Sequence, residues 1–227
     1  MKRFIAMAAL AAFGVPALAE PEITRWNTAH SMGCMMMREC TTDVRKVRNV
    51  DELEAQLSVY FNDANREELT SIFESLNATG IEFFTAPDRY FATRTRGVYY
   101  TVGNKFYLNA KYMTSQDVVM NVIRHEGWHA AQDCMAGSLH NSQIAVIWQD
   151  GVVPNGYVVR ANVAYAMMPK AIPWEAEAIW AGDVPHQTAN ALRACASPDG
   201  KMWDIYTPTP MTGEWLVDNG YWDGVTR

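Results

Sequence analysis

Residues 124–134 read RHEGWHAAQDC, which places His125 and His129 four positions apart with Glu126 directly after the first histidine. Side chains four apart on an α-helix stand one above the other, so the two imidazoles can chelate one metal ion. Glu126 leaves the helix from nearly the same side. Two imidazoles on a metal, with a carboxylate beside them to take a proton from water, are what a zinc hydrolase needs. The competing reading is a buried helix whose histidines serve only the core.

The flanking residues predict the helix itself. Thr114 or Ser115 can cap its start, Asp117 suits its positive end, and Gly137 stops it. Val118 and Val122 lead to His125 and His129, and Val119 and Ile123 lead to Glu126, at spacings of three and four. The motif therefore continues an apolar stripe and faces the interior or a cleft. Buried imidazoles and a buried carboxylate need partners, and a metal would satisfy the histidines.

A catalytic site of this type needs a third protein ligand and leaves the fourth position to water. One known class takes a histidine six residues after the second, but Met135 stands there. The alternative is a glutamate on a later helix, and PWEAEAIWAG at 173–182 offers Glu175 and Glu177. Residues two apart point about 200° apart around a helix, so only one of them can face the metal. Glu175 shares its side with Ala178, Ile179 and Gly182, small or apolar groups that allow close approach. Glu177 shares its side with Trp174, Trp180 and Ala181.

HEGWH at 125–129 followed by EAEA at 175–178 resembles the gluzincins, zinc metallopeptidases with a zincin-like fold. The resemblance covers about residues 97–182. It implies Zn2+ held by His125, His129 and Glu175, with Glu177 as the alternative third ligand. It implies Glu126 as the general base that drives attack of zinc-activated water on a peptide or protein substrate. It also implies a small sheet before the active helix, whose edge strand lines a cleft where an extended peptide can pair; residues 98–109 are the candidate. Many members carry an aspartate four residues after the third ligand to orient a histidine. Ile179 stands at that position, and Asp133, one turn after His129, is the substitute candidate. Tyr157, Tyr165 and His186 are candidates for stabilising the oxyanion.

GVYYTVGNKFYLN at 97–109 predicts a β-hairpin turning at Gly103-Asn104. Helices are expected after Asp51 as an N-cap, over residues 65–76 with Gly80 as terminator, over 173–182 with Gly182 past its end, and over 185–195 with Asp183 near its start. IEFF at 81–84 reads as a short strand, residues 20–50 as irregular, 141–165 as either strand or helix, and the tail from Ser197 as ordered coil. The expectation is one α+β domain over 20–227, zincin-like, mostly helical, with a small β-sheet or hairpin preceding the HExxH helix.

The chain has 227 residues, 19% of them charged, and a formal net charge of −6. That balance, with no basic tract, argues against a nucleic-acid partner. Residues 1–19 have the basic start, apolar run and small-x-small end of a secretory signal peptide cleaved after Ala19. The apolar run is too short to span a bilayer, and no later stretch is long enough, so no stable membrane insertion is expected. A secreted or periplasmic protein follows. Export gives meaning to Cys34, Cys40, Cys134 and Cys195, an even set for which two disulfides are expected. Of three possible connectivities, Cys34–Cys40 with Cys134–Cys195 is favoured.

Two other functions compete. HSMGCMMMREC at 30–40 offers soft sulfur ligands of the kind that bind Cu(I), although a Met-rich loop packed on the core explains it as well. The domain can also be a catalytically inactive zincin-like binding module that keeps the cleft without the reaction.

Overall fold

The computed structural model of the protein describes residues 28–38, 42–197 and 201–224. The expected signal peptide therefore lies outside the described residues, as does Cys40 of the expected Cys34–Cys40 bridge. In chain order the elements are α1 (Thr28–Met37), β1 (Arg45–Val47), α2 (Val50–Leu57), α3 (Asp63–Thr79), β2 (Glu82–Ala86), β3 (Gly97–Tyr100), β4 (Lys105–Asn109), α4 (Gln116–Met135), α5 (Asn155–Ala164), α6 (Ile172–Asp183), α7 (Gln187–Cys195) and α8 (Pro210–Asp218). The architecture is α+β, mostly helical, with one four-stranded sheet ahead of α4.

The sheet runs in the order β1-β2-β4-β3, with β2 and β4 parallel and both outer pairs antiparallel. Alternation along its strands serves two faces. Phe83 and Phe106, with ring centroids 4.4 Å apart, join the main core with α3, α4 and α7. Phe84 and Tyr107 stack on the other face, which α1 covers with fully buried Met35. The Tyr107 hydroxyl donates to the Met35 carbonyl at 3.2 Å.

α4 is the buried axis of the main core. Ser115 caps it by accepting from the Val118 amide, and Gly137 takes the left-handed backbone just past its end. Small residues bring the other helices close. A Cβ on Gly127 would meet Thr188 of α7 at 2.8 Å, and one on Gly182 of α6 would meet the Asn121 side chain at 3.0 Å. Arg124, buried on α4, makes a two-pronged ion pair with buried Glu68 of α3. Glu68 also accepts from the His186 amide ahead of α7. Cys134 and Cys195 form a disulfide joining the last turns of α4 and α7.

Several boundaries differ from expectation. Asn49, not Asp51, caps α2, accepting from the Glu52 amide. α3 is longer at both ends than residues 65–76 because Asn62 caps it and the left-handed Gly80 ends it. The hairpin forms, but through a 3-10 turn over Thr101–Gly103 with Asn104 left-handed, a wider loop than the expected Gly103-Asn104 pair. Gly182 lies inside α6, not beyond it, since it packs on Asn121. Asp183 ends α6 and pairs with Arg160, so it does not start α7. Residues 28–37 and 210–218 are helices where irregular chain and coil were expected. Among the described residues no helix is long and apolar enough to cross a membrane.

Candidate metal centre

His125 and His129 project from one side of α4, with ring centroids 5.0 Å apart. α6 approaches that side through fully buried Ala178 and buried Gly182. The shared helix face then aims Glu175, in the first turn of α6, at both rings. Glu175 Oε2 lies 3.5 Å from Nε2 of His125 and 3.7 Å from Nε2 of His129. The ligating atoms of the three residues lie within 4.8 Å of one another, a group that could hold a metal ion.

The donor chemistry fits such an ion. Glu175 Oε2 is buried and accepts no hydrogen bond, an unsatisfied state that a cation would relieve. Burial would raise the Glu175 carboxyl, but His125 and His129 outweigh it and hold the group well below the usual carboxylate range. Burial would likewise lower His129. Glu175, Glu126 and Gln132 outweigh it and raise the imidazole to about 9.

Gln132, one turn after His129, sets that ring. Its Nε2 donates to the Trp174 carbonyl and to Glu177 Oε2, which fixes the amide so that Oε1 faces His129 Nδ1 at 2.8 Å. The proton on Nδ1 then leaves the Nε2 lone pair aimed at Glu175. Asp133, the expected orienting group, bonds to β3 and not to a histidine. It is fully buried and accepts from the Tyr99 hydroxyl at 2.8 Å instead. Its α4 position turns it toward β3, and burial raises its carboxyl to about 7.

Glu177 points away from the cluster. It accepts from Trp128 Nε1, Gln132 Nε2 and the amides of Ile147 and Trp148. Burial raises its carboxyl, and these donors partly offset the rise. Its place is structural: it anchors the chain after α4 to the core.

Glu126 is buried beside the cluster, and its Oε2 accepts from the Tyr99 backbone amide of β3 at 2.9 Å. Of the three oxyanion candidates, only the Tyr165 phenol feels this site. Burial raises its pKa above the ordinary tyrosine range, and the carboxylates of Glu175 and Glu126 add to the rise. Tyr157 instead packs near Trp180 and Arg160. His186 is exposed and left-handed at the start of α7. Gln132 and Tyr99 were missed from sequence. Gln132 carried a signal, since it lies three residues after His129 on one helix face. Tyr99 carried none beyond its place in the hairpin.

Among the described residues, the Met-rich segment contributes no ligand to the candidate metal cluster. Cys34 is disulfide-bonded, and Met35 is sealed under the sheet. The copper reading thereby loses the Cys34 thiolate and the Met35 thioether. Compared with protein-family models, curated proteins and solved structures, the chain matches none.

Proposed function

We propose that the protein is an exported zinc-dependent metallopeptidase with a zincin-like core, related in its site plan to the gluzincins. The observation that carries this reading is the convergence of His125, His129 and Glu175 within 4.8 Å, with Glu126 on the same helix turn. Two imidazole nitrogens and one carboxylate oxygen are a donor set zinc accepts in catalytic sites. The order of sheet, metal helix and third-ligand helix supports the fold assignment, and the Cys134–Cys195 disulfide supports an oxidising compartment.

Zinc held there would supply a Lewis acid for the scissile carbonyl and for water. The chain's own residues do the rest. Glu126 accepts the proton that water loses as its oxygen adds to the carbonyl carbon, then delivers that proton to the leaving amine as the C–N bond breaks. Tyr165, beside Glu175 and Glu126, is placed to donate to the oxygen on which negative charge develops. Gln132 holds His129 in its ligating tautomer.

The test is metal content by elemental analysis on untagged protein, followed by peptide hydrolysis. The wild type should carry about one zinc per chain, a His125→Ala/His129→Ala variant none, and Glu126→Gln should keep zinc while losing turnover. Zinc without hydrolysis in the wild type would replace this reading with the inactive binding module. No zinc after loading would remove the metal reading altogether.

A further inference from the structure

A cavity of about 1040 Å³ is walled by the chain after α4, the first turns of α5 and α6, and the start of α8. Its size reaches the top of the range of roughly 300–1,000 Å³ found for small-molecule sites. None of His125, Glu126, His129 and Glu175 is among its walls. α6 contributes Trp174 and Glu177 instead, and Glu177 stands about 200° around that helix from Glu175. Val146, Val153, Val158, Ile172 and Met211 supply apolar lining, with Met211, 70% exposed, at the mouth.

Three indoles complete the walls. Trp215 is fixed by donating its Nε1 to the Ala136 carbonyl at 3.1 Å, and the Trp174 backbone is fixed by the Gln132 side chain. Neither of these two rings has an aromatic partner among the described residues. They therefore offer uncommitted ring surface to an occupant. Trp148 packs on Trp128, Trp180 and Tyr206, but its Nε1 is buried with no hydrogen-bond partner. A buried donor of this kind costs free energy until an acceptor reaches it. Of the charged wall residues, Glu177 is already spent on Trp128, Gln132 and the amides of Ile147 and Trp148. Lys170 and Asp150 are exposed and have no ion pair among the described residues. Their opposite charges cancel, and the chain's net charge of −6 disfavours anions further.

We propose that this cavity binds an uncharged, ring-bearing small molecule that carries an acceptor oxygen. Its rings stack on Trp174 and Trp215 among the aliphatic side chains, and its oxygen accepts from the Trp148 indole N–H. Neither zinc nor hydrolysis enters the inference, which goes beyond the peptidase reading and stands apart from it.

The test titrates the purified chain with prodan, an uncharged naphthyl ketone whose emission moves to the blue in apolar surroundings. Anilinonaphthalene sulfonate serves as an anionic counterpart of similar ring size. Prodan should saturate a single site with a blue shift and bind about tenfold more tightly than the sulfonate, which must bury its charge. The same naphthylamine without the ketone should compete about fivefold less well, since it leaves the indole donor unmet. Val158→Trp and Met211→Trp fill the cavity from α5 and from α8. Each should weaken prodan by about tenfold, the scale of overpacking. Met211 is exposed, so its variant decides the matter where Val158→Trp fails to fold. Val163→Trp, on the exposed side of α5 and outside the lining, should leave binding unchanged. No saturable prodan binding, equal binding by Met211→Trp and wild type, or tighter binding of the sulfonate overturns the proposal. Equal competition by the ketone-free analogue overturns the acceptor contact. A dimer in size-exclusion chromatography that Met211→Trp dissociates would assign the cavity to a second copy of the chain and overturn the small-molecule site. Each of these results leaves zinc content and hydrolysis to their own test.

Discussion

The side-chain oxygen of Gln132 lies 2.8 Å from Nδ1 of His129, so a glutamine does for this ring what a carboxylate does in many metal sites. The same side chain is buried and anchored on Glu177 and Trp174, which leaves it little freedom to turn. Gln132→Leu should weaken zinc affinity by about 10–100-fold, as loss of an orienting partner usually does. A chelator-competition titration measures this. Affinity equal to wild type would mean that packing alone orients His129.

The pH dependence of the metal-free protein follows from His129. Its folded pKa, raised to about 9 from the ordinary 6.5, makes protonation favour the fold. That contribution is complete below 6.5 and is lost as pH rises through 9. Asp133, raised to about 7 from 3.8, acts in the same direction over a lower window. Glu175, held below its ordinary 4.5, has the opposite sign and loses its contribution only in acid. Zinc needs a neutral imidazole, so its binding displaces the His129 proton and tightens with pH. Melting scans from pH 6 to 9 should show Tm falling in chelator while the increment due to zinc grows. A constant increment would place the proton elsewhere.

The two glutamates of α6 should separate cleanly. Glu175→Gln should cost zinc affinity but leave the metal-free fold close to wild type in Tm at pH 9, where the His129 contact has weakened. Glu177→Ala should do the reverse. It strips the acceptor from two buried amides, an indole and an amide side chain, and each orphaned donor costs about 1–3 kcal/mol. Denaturant unfolding beside zinc titration reads both. Loss of zinc in the Glu177 variant at full stability would contradict this division.

The Cys134–Cys195 bridge closes a loop across a sequence separation of 61 between the ends of α4 and α7. Loop-closure entropy puts its contribution at about 4 kcal/mol, of which proteins often realise less. Cys134→Ser/Cys195→Ser should lower Tm by several degrees or more. Because neither cysteine belongs to the cluster of His125, His129 and Glu175, the folded variant should still bind zinc.

The helix that matters most was legible because several signals coincide on it. The Ser115 cap, the valine stripe and the Gly137 stop all agree, and α4 runs where they point. The side of α6 that approaches was legible too, since Ala178 and Gly182 flank Glu175 at helical spacing. What escaped was set by partners distant in sequence. The sheet's parallel β2–β4 pairing joins segments separated by β3, and no local pattern encodes it. α1 was hidden because its methionines show no amphipathic period, as a helix covering one sheet face with mixed packing need not. The Tyr99–Glu126 bond depends on the height of β3 above α4, which the sequence expresses only through Gly97.

That glycine makes the height testable. Gly97 is buried, and its Cβ would fall 2.7 Å from Glu126 Cγ and 2.8 Å from Val122 Cγ1, closer than real contacts allow. Glu126 and Val122 sit on a helix fixed on three sides by α3, α6 and α7, so β3 must yield. Gly97→Ala should therefore lift the strand and stretch the Tyr99–Glu126 bond, at a cost of about 1–3 kcal/mol typical of overpacking. Zinc binding, set by α4 and α6, should persist. Peptide turnover should fall, because a lifted β3 no longer holds the Glu126 carboxylate through the Tyr99 amide. Deuterium exchange at the Tyr99 amide should quicken in step. If Gly97→Ala leaves Tm and amide exchange unchanged, the strand has slack, and the close approach of β3 to Glu126 is not what positions the base.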